Sequence, residues 1–308
     1  MASEPVPLHF EDFAEERTPL RPGRGLGDRL APLWANKLTL IGGAITLACL
    51  FVAAIGTVLL ATPGFRHLYL DQDVNAALIK PFSQGRLLGT DNLGRNTAWR
   101  IAAGMAISLL IGMVVTAASM SFGLILGAVA GYFRGPVDRI ISGLIDLTWG
   151  FPVILVAVIF AGMFKPGIPA VILAVSVVNW AGFARIIRAQ TLSLRERAFV
   201  EAARALGVPA WKVILRHLVP NTIATSLVMA SYYIAVTVIA EAGLSFIGLG
   251  AQPPTPSLGQ MIANGRNYLY NDPWVAIIPG IAIALIVLGL NTLGDGLRDV
   301  FDPRLRRW

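Results

Sequence analysis

Asp146 and Glu241 are carboxyl groups that stand inside long apolar stretches of this sequence. A charge at such a position is expensive, and where it persists it often serves proton or ion passage. Neither acid has a second one in its own stretch to relay through. Both therefore read more simply as structural groups. Asp146 lies near one end of its stretch, within reach of Arg139 or an interfacial group, and Glu241 lies five residues before Phe246 closes its own.

The other reactive side chains form no constellation. His9, His67 and His217 fall in three separate polar regions, so spacing assembles no metal-ligand cluster. No Gly-x-x-x-x-Gly-Lys run is present to cradle a phosphate. The serines and aspartates of the apolar stretches lack a Gly-x-Ser-x-Gly or paired-aspartate context, which argues against a membrane protease. Cys49 is the one cysteine, so the chain supplies neither a disulfide nor a cysteine-based metal site. The sequence thus offers no catalytic residue, cofactor site or metal site.

Two polar stretches carry more information. The first runs from Arg195 to Asn221. On helical spacing Phe199, Ala202, Ala203 and Leu206 share an apolar face, while Arg197, Glu201 and Arg204 form a charged series three and four apart. Gly207 is placed to end that helix with a positive φ. Pro209 then starts a second helix that is expected to end before Pro220. So small an apolar face offers little anchorage in lipid and suits a groove on another protein. The second stretch, Leu87–Asn96, combines turn formers with helix-start residues. Thr90, Asp91 or Asn92 is expected to cap the helix that follows.

The elements that hold these stretches are set by composition. The chain has 308 residues, 55% hydrophobic and 14% charged, with a mean hydropathy of +0.66. Such values, with apolar runs of membrane-spanning length, predict an all-α polytopic membrane protein with six transmembrane helices. The spans are expected at Leu38–Ala61, Met105–Ala130, Ile140–Phe164, Ile168–Ala184, Asn221–Phe246 and Trp274–Leu293. The first reads as an uncleaved span rather than a secretory signal, being long and preceded by a polar segment. Span 2 carries Gly104, Gly112, Gly123, Gly127 and Gly131, with small residues four apart that permit close helix approach.

Six spans put both termini on one side. The tails and even-numbered loops hold 18 lysines and arginines against 7 in the odd-numbered loops, which predicts cytoplasmic termini. The same bias accounts for the net charge of +7 without a nucleic-acid partner. The expected organisation is a cytoplasmic tail (1–37), a first span with an outward loop (38–104), a core of five spans (105–294) with a cytoplasmic loop at 185–220, and a C-terminal tail (295–308).

Four motifs in order resemble a known family. Glu201-Ala202-Ala203, Gly207 and His217-Leu218-x-Pro220-Asn221 resemble the EAA loop of permease subunits of ATP-binding-cassette importers. Leu88-Gly89-Thr90-Asp91-Asn92-Leu93-Gly94-Arg95, Gly131-Tyr132-Phe133-Arg134-Gly135-Pro136 and Glu241-Ala242-Gly243-Leu244-Ser245-Phe246, continuing to Ser257, are similar to the dipeptide/oligopeptide/nickel branch and its C-type subunit. The resemblance implies a type I importer permease fold in a bacterial or archaeal cytoplasmic membrane. It implies a heterodimer with a homologous B-type permease, two cytoplasmic subunits that bind ATP and magnesium, and an extracytoplasmic substrate-binding protein. Peptide is the expected cargo, with nickel chelates and oligosaccharides as alternatives; an ion-gradient-driven secondary transporter is the reading from a different class. By carry-over, Phe199, Glu201, Ala202, Ala203, Arg204, Leu206 and Gly207 would couple to the ATPase. Asp91, Gly94, Arg95, Pro253, Pro254 and Pro256 would lie outward, against a partner. Asn96 stands where the family pattern carries an acid.

Overall fold

The structure, a computed structural model, describes residues 37–301, so all but the last residue of the tail expected at 1–37, and residues 302–308 of the one expected at 295–308, lie outside the described residues. Helix α1 is Lys37–Ala61. Its buried residues are Thr39, Gly42, Thr46, Cys49, Ala53, Gly56 and Leu59, a stripe of mostly small residues three or four apart. The stripe lets backbones approach closely, as packing in lipid requires. Gly42 faces Thr292, and a Cβ at Gly56 would fall on the carbonyl of Ala102.

Helix α2, Thr97–Phe133, is the hub of the bundle and buried along most of its length. Its cap is Asn96, whose side chain accepts from the Ala98 N–H, rather than Thr90, Asp91 or Asn92. Those three residues are used in the preceding turn, so the helix begins one turn later than its signals suggest. Two short helices follow, α3 (Gly135–Trp149) and α4 (Val153–Phe164), bent by 88° to each other. A single straight span was expected at Ile140–Phe164. The break falls at Gly150-Phe151-Pro152, where the proline lacks an N–H and disfavours helical geometry in the residue before it. Among the described residues, five helices are long and apolar enough to cross a membrane, and the bent pair makes a sixth if counted as one span.

Helix α5, Ile168–Leu194, runs ten residues past the Ala184 expected as its end. Three glycines of α2 receive it. A Cβ at Gly123 would meet Phe183 and Ala184, one at Gly127 would meet Ala184 and Ile187, and one at Gly131 would meet Arg188 and Thr191. The small-residue spacing of span 2 therefore sets the closest helix pairing here. After α5 come the short helix α6 (Ala198–Ala205) and the long helix α7 (Ala210–Phe246). Helix α8 (Leu258–Gly265) and α9 (Trp274–Phe301) complete the chain.

Helix α7 does not stop before Pro220. Residues Ile214–Leu218 adopt a π-helical turn in which the Val219 N–H donates to the Ile214 carbonyl. The wider turn absorbs the misfit of a proline that has no N–H and would crowd the carbonyl four residues back.

Candidate functional site

The two information-rich stretches sit at opposite ends of α2. The Asp91 turn precedes its first residue, and α6 packs near its last turns. At 1.5 Å per residue those 37 residues separate the ends by about 54 Å.

At the first end, the loop between α1 and α2 is a compact set of turns. Asp91 organises it. Its Oδ1 accepts from the N–H groups of Leu93 (2.9 Å) and Arg95 (3.0 Å), and its Oδ2 accepts from Arg95 Nε at 2.7 Å. Arg100, only 2% exposed, brings its Nε to 3.3 Å from the same Oδ2. The carboxylate thus faces two guanidinium groups, a pairing that offsets the cost of burying Arg100. The Thr90 hydroxyl donates to the Ala76 carbonyl at 2.5 Å and accepts from the Ile79 N–H at 2.9 Å. Gly94, with φ of +75°, lies directly against the Asp73 backbone, where a Cβ would collide. Helix α8 covers this turn, with Met261 and Asn264 beside Asp91 and Arg100. Pro253 and Pro254 are exposed on the segment leading into α8, while Pro256 is buried.

Sequence reasoning missed Arg100. It lies nine residues from Asp91, a separation with no periodic meaning, and only the turn folding back makes them neighbours.

At the other end, α6 is anchored by its inner side and bare on its outer one. Val200 and Ala203 are buried in a cluster with Leu124 and Ala128 of α2, Ile187 of α5, and Val213, Ile214 and Leu218 of α7. The anchoring face differs from the one expected. Ala203 is buried, but Phe199 is 40% exposed and Leu206 84% exposed, and Ala202 is exposed as well. A three-helix groove accepts one β-branched side chain and a small one, so Val200 turns inward. Phe199, Ala202 and Leu206 are left pointing away, with Trp211 and Leu215 of α7 also exposed. Glu201 and Arg204 are exposed among them.

The exit from α6 is closed at Gly207. The Gly207 N–H donates to Arg204 and the Val208 N–H donates to Ala203. This pair of bonds defines a Schellman end, and it holds Gly207 at φ of +74°. Val208 and Ala203 pack in the same apolar cluster, the contact that accompanies this motif.

Ion pairs brace the neighbourhood. Arg134 meets Glu196 at 2.5 Å, Arg188 holds the Asp138 carboxylate with two nitrogens, and Arg185 reaches Asp146 at 2.7 Å. Asp146 is thus paired with Arg185 rather than Arg139. The prolonged α5 carries Arg185 and Arg188 alongside α3, where an early end at Ala184 would have left both in a loop. Arg185 also lies 4.0 Å from the centroid of the Trp149 ring. Glu241 is completely buried in α7 and hydrogen-bonded by serines. Among the described residues no three His, Cys, Asp or Glu side chains converge as a metal site.

Residues 123–307 match the family described as binding-protein-dependent transport system inner membrane component. The dipeptide transport system permease protein DppC of Alkalihalophilus pseudofirmus is 34% identical over 271 residues, 88% of this chain and 87% of that one. The glutathione transport system permease protein GsiD of Pectobacterium atrosepticum is 41% identical over 224 residues, 73% of this chain and 74% of that one. The oligopeptide transport system permease protein OppC of Haemophilus influenzae is 36% identical, covering 79% of this chain and 78% of that one. Among solved structures, the inward-facing MetNI methionine ABC transporter is similar in fold, with a TM-score of 0.55 at 20% identity, covering 66% of this chain and 97% of that one.

Proposed function

The chain belongs to the family of binding-protein-dependent transport system inner membrane components, and we propose that it forms half of the translocation path of an ATP-driven peptide importer. In this reading a homologous permease supplies the other half. Two cytoplasmic ATPase subunits bind ATP and magnesium, and an extracytoplasmic protein delivers the peptide. The relatives' names carry the choice of peptide as cargo. The α6 end is then cytoplasmic, the Asp91 end faces outward, and the membrane is the cytoplasmic membrane of a bacterium or archaeon. The core at 105–294 carries the path, and the loop at 185–220 receives the drive.

The observation that carries the reading is the two-sided character of α6. Its outer side offers Phe199, Leu206 and the neighbouring Trp211, ringed by Glu201 and Arg204, to a partner. Its inner side joins, through Val200 and Ala203, an apolar cluster that also holds side chains of α2, α5 and α7. A partner that grips the outer side in one nucleotide state and shifts in another moves three helices at once. Only such a difference in contact between states lets nucleotide change the pore, because equal contact shifts nothing. Ala202 keeps the outer side slim and Gly207 keeps the exit sharp, so that the helix can enter a cleft.

The test is uptake of a labelled tripeptide into proteoliposomes holding this chain, its partner permease and both ATPases, with the binding protein outside. ATP-dependent accumulation is expected. Accumulation by this chain alone under a proton gradient, or none with the full assembly, would overturn the reading.

A further inference from the structure

Glu241 has no part in the function above, yet it is wholly buried, accepts from serines of α7 and α2, and has the cap of α8 beside it. Ser245, one turn further along α7, donates to Oε1 at 2.6 Å. Ser108 of α2 donates to Oε2 at 2.9 Å. Ser257, the cap of α8, lies beside the same carboxyl group. Two of these hydroxyls also hold the segment between α7 and α8. Ser245 Oγ accepts from the Ala251 N–H at 3.3 Å, and Ser257 Oγ accepts from the Gln260 N–H at 3.2 Å. Hydrogen bonds to a carboxyl group in a site that excludes water are among the stronger ones, and losing the acceptor leaves each donor unsatisfied.

Two close approaches flank this centre. A Cβ at Gly250 would fall on the Ser245 side chain, and one at Gly259 would fall on the Ala242 backbone. Leu258, completely buried, rests on Gly104 of α2. The segment Gly250–Gly259 is therefore pressed onto the α2–α7 pair at both its ends, with Glu241 between. At its other end α7 begins at Ala210, three residues after the Gly207 exit of α6. Ala210 and Glu241 belong to one helix and lie about 47 Å apart at 1.5 Å per residue.

We propose that Glu241 is a positioning residue for import, a latch that makes the Gly250–Gly259 segment travel with α7 when α6 is displaced. The outward surface, including exposed Pro253 and Pro254, thereby reports the state of the ATPase end. The proposal rests on the transport reading and adds to it how the far side is informed.

The experiment uses the complete reconstituted complex with its binding protein and a tripeptide, comparing Glu241→Gln, Ser257→Ala and Ser257→Thr. Hydrolysis without binding protein and the yield of assembled complex should stay within about twofold of wild type. Stimulation of hydrolysis by loaded binding protein, and uptake, should fall about tenfold in Glu241→Gln and Ser257→Ala. Ser257→Thr keeps the hydroxyl and should recover most of both. Unchanged stimulation in Glu241→Gln and Ser257→Ala overturns the proposal. So does parallel loss of yield, unstimulated hydrolysis and stimulation, since that is the mark of a packing role alone. If Glu241→Gln fails to assemble, the contrast between Ser257→Ala and Ser257→Thr decides in the same way. A wild-type complex that does not import removes the transport reading instead, a result distinguishable from a functional wild type with indifferent variants.

Discussion

Gly207→Val should uncouple ATP hydrolysis from uptake without dismantling the protein. The backbone at Gly207 has φ of +74°, and a Cβ built there meets nothing within 4 Å. A side chain therefore costs backbone strain and no clash. For an ordinary L residue the left-handed region costs about 1–2 kcal/mol, and a β-branched residue tolerates it least. The chain can escape by moving to negative φ, but then the Gly207-to-Arg204 and Val208-to-Ala203 bonds are lost, at about 0.5–1.5 kcal/mol each. Either route takes roughly 1–3 kcal/mol from the native hinge, a five- to 150-fold change in its population. Val200 and Ala203 still anchor α6, so the helix persists but points differently. The assay is tripeptide taken up per ATP hydrolysed in proteoliposomes. A drop of about tenfold is expected at near-normal hydrolysis. Gly207→Asn, which tolerates positive φ, should restore most of it. Wild-type stoichiometry in Gly207→Val refutes the reasoning. Asn as defective as Val also refutes it, because bulk at a contact and not backbone strain would then be the cause.

Leu206→Asp changes a side chain that is 84% exposed, so the melting temperature of the purified chain should hold while co-purification of the ATPase falls at least tenfold; retention measured by affinity capture checks it. At the other end, Gly94→Ala and Gly85→Ala both place an alanine at positive φ, but only at Gly94 does the Cβ run into backbone, that of Asp73. Thermal unfolding of the complex should drop by several degrees for Gly94→Ala and clearly less for Gly85→Ala, and equal drops would mean the turn is not packed as described.

The spans were legible because hydropathy reports lipid contact directly: α1 matches its apolar run within a residue, and α2, α7 and α9 contain theirs and extend it by about two to three turns at one end. The misreadings share one cause: tertiary partners supply what a local signal seems to demand. Span 4 is expected to end at Ala184, yet Asp146 and Asp138 on α3 receive Arg185 and Arg188 beyond that point and the helix continues. Pro220 was read as a stop, yet a π turn carries α7 past it. Pro152 lies inside the apolar run of span 3 and breaks it, because it lacks an N–H and turns the residue before it away from helical geometry. The α6 stretch was recognisable from charge and spacing. Which of its faces is buried was not, because eight residues of helix offer two plausible apolar sides and the groove chooses Val200.

That choice bears on how motion could pass through the bundle. Val200 and Ala203 share one buried apolar cluster with side chains of α2, α5 and α7, so a push on α6 passes into that cluster as a whole. Helices α2 and α5 approach each other closely at Gly123, Gly127 and Gly131, where a Cβ would collide with the facing helix, and such interdigitated packing resists relative sliding. Helix α7 differs, since its π turn at Ile214–Leu218 lies beside α6 and departs from regular helical bonding. Such single π turns inside α-helices are rare and recur at functional sites. A displacement of α6 therefore finds one stiff path, through α2 and α5, and one that yields locally at the π turn before continuing up α7 to Glu241. Relative movement of α7 against α2 and α5 is the deformation this arrangement favours on these grounds. The bond between Ser108 on α2 and Glu241 on α7 spans that very boundary.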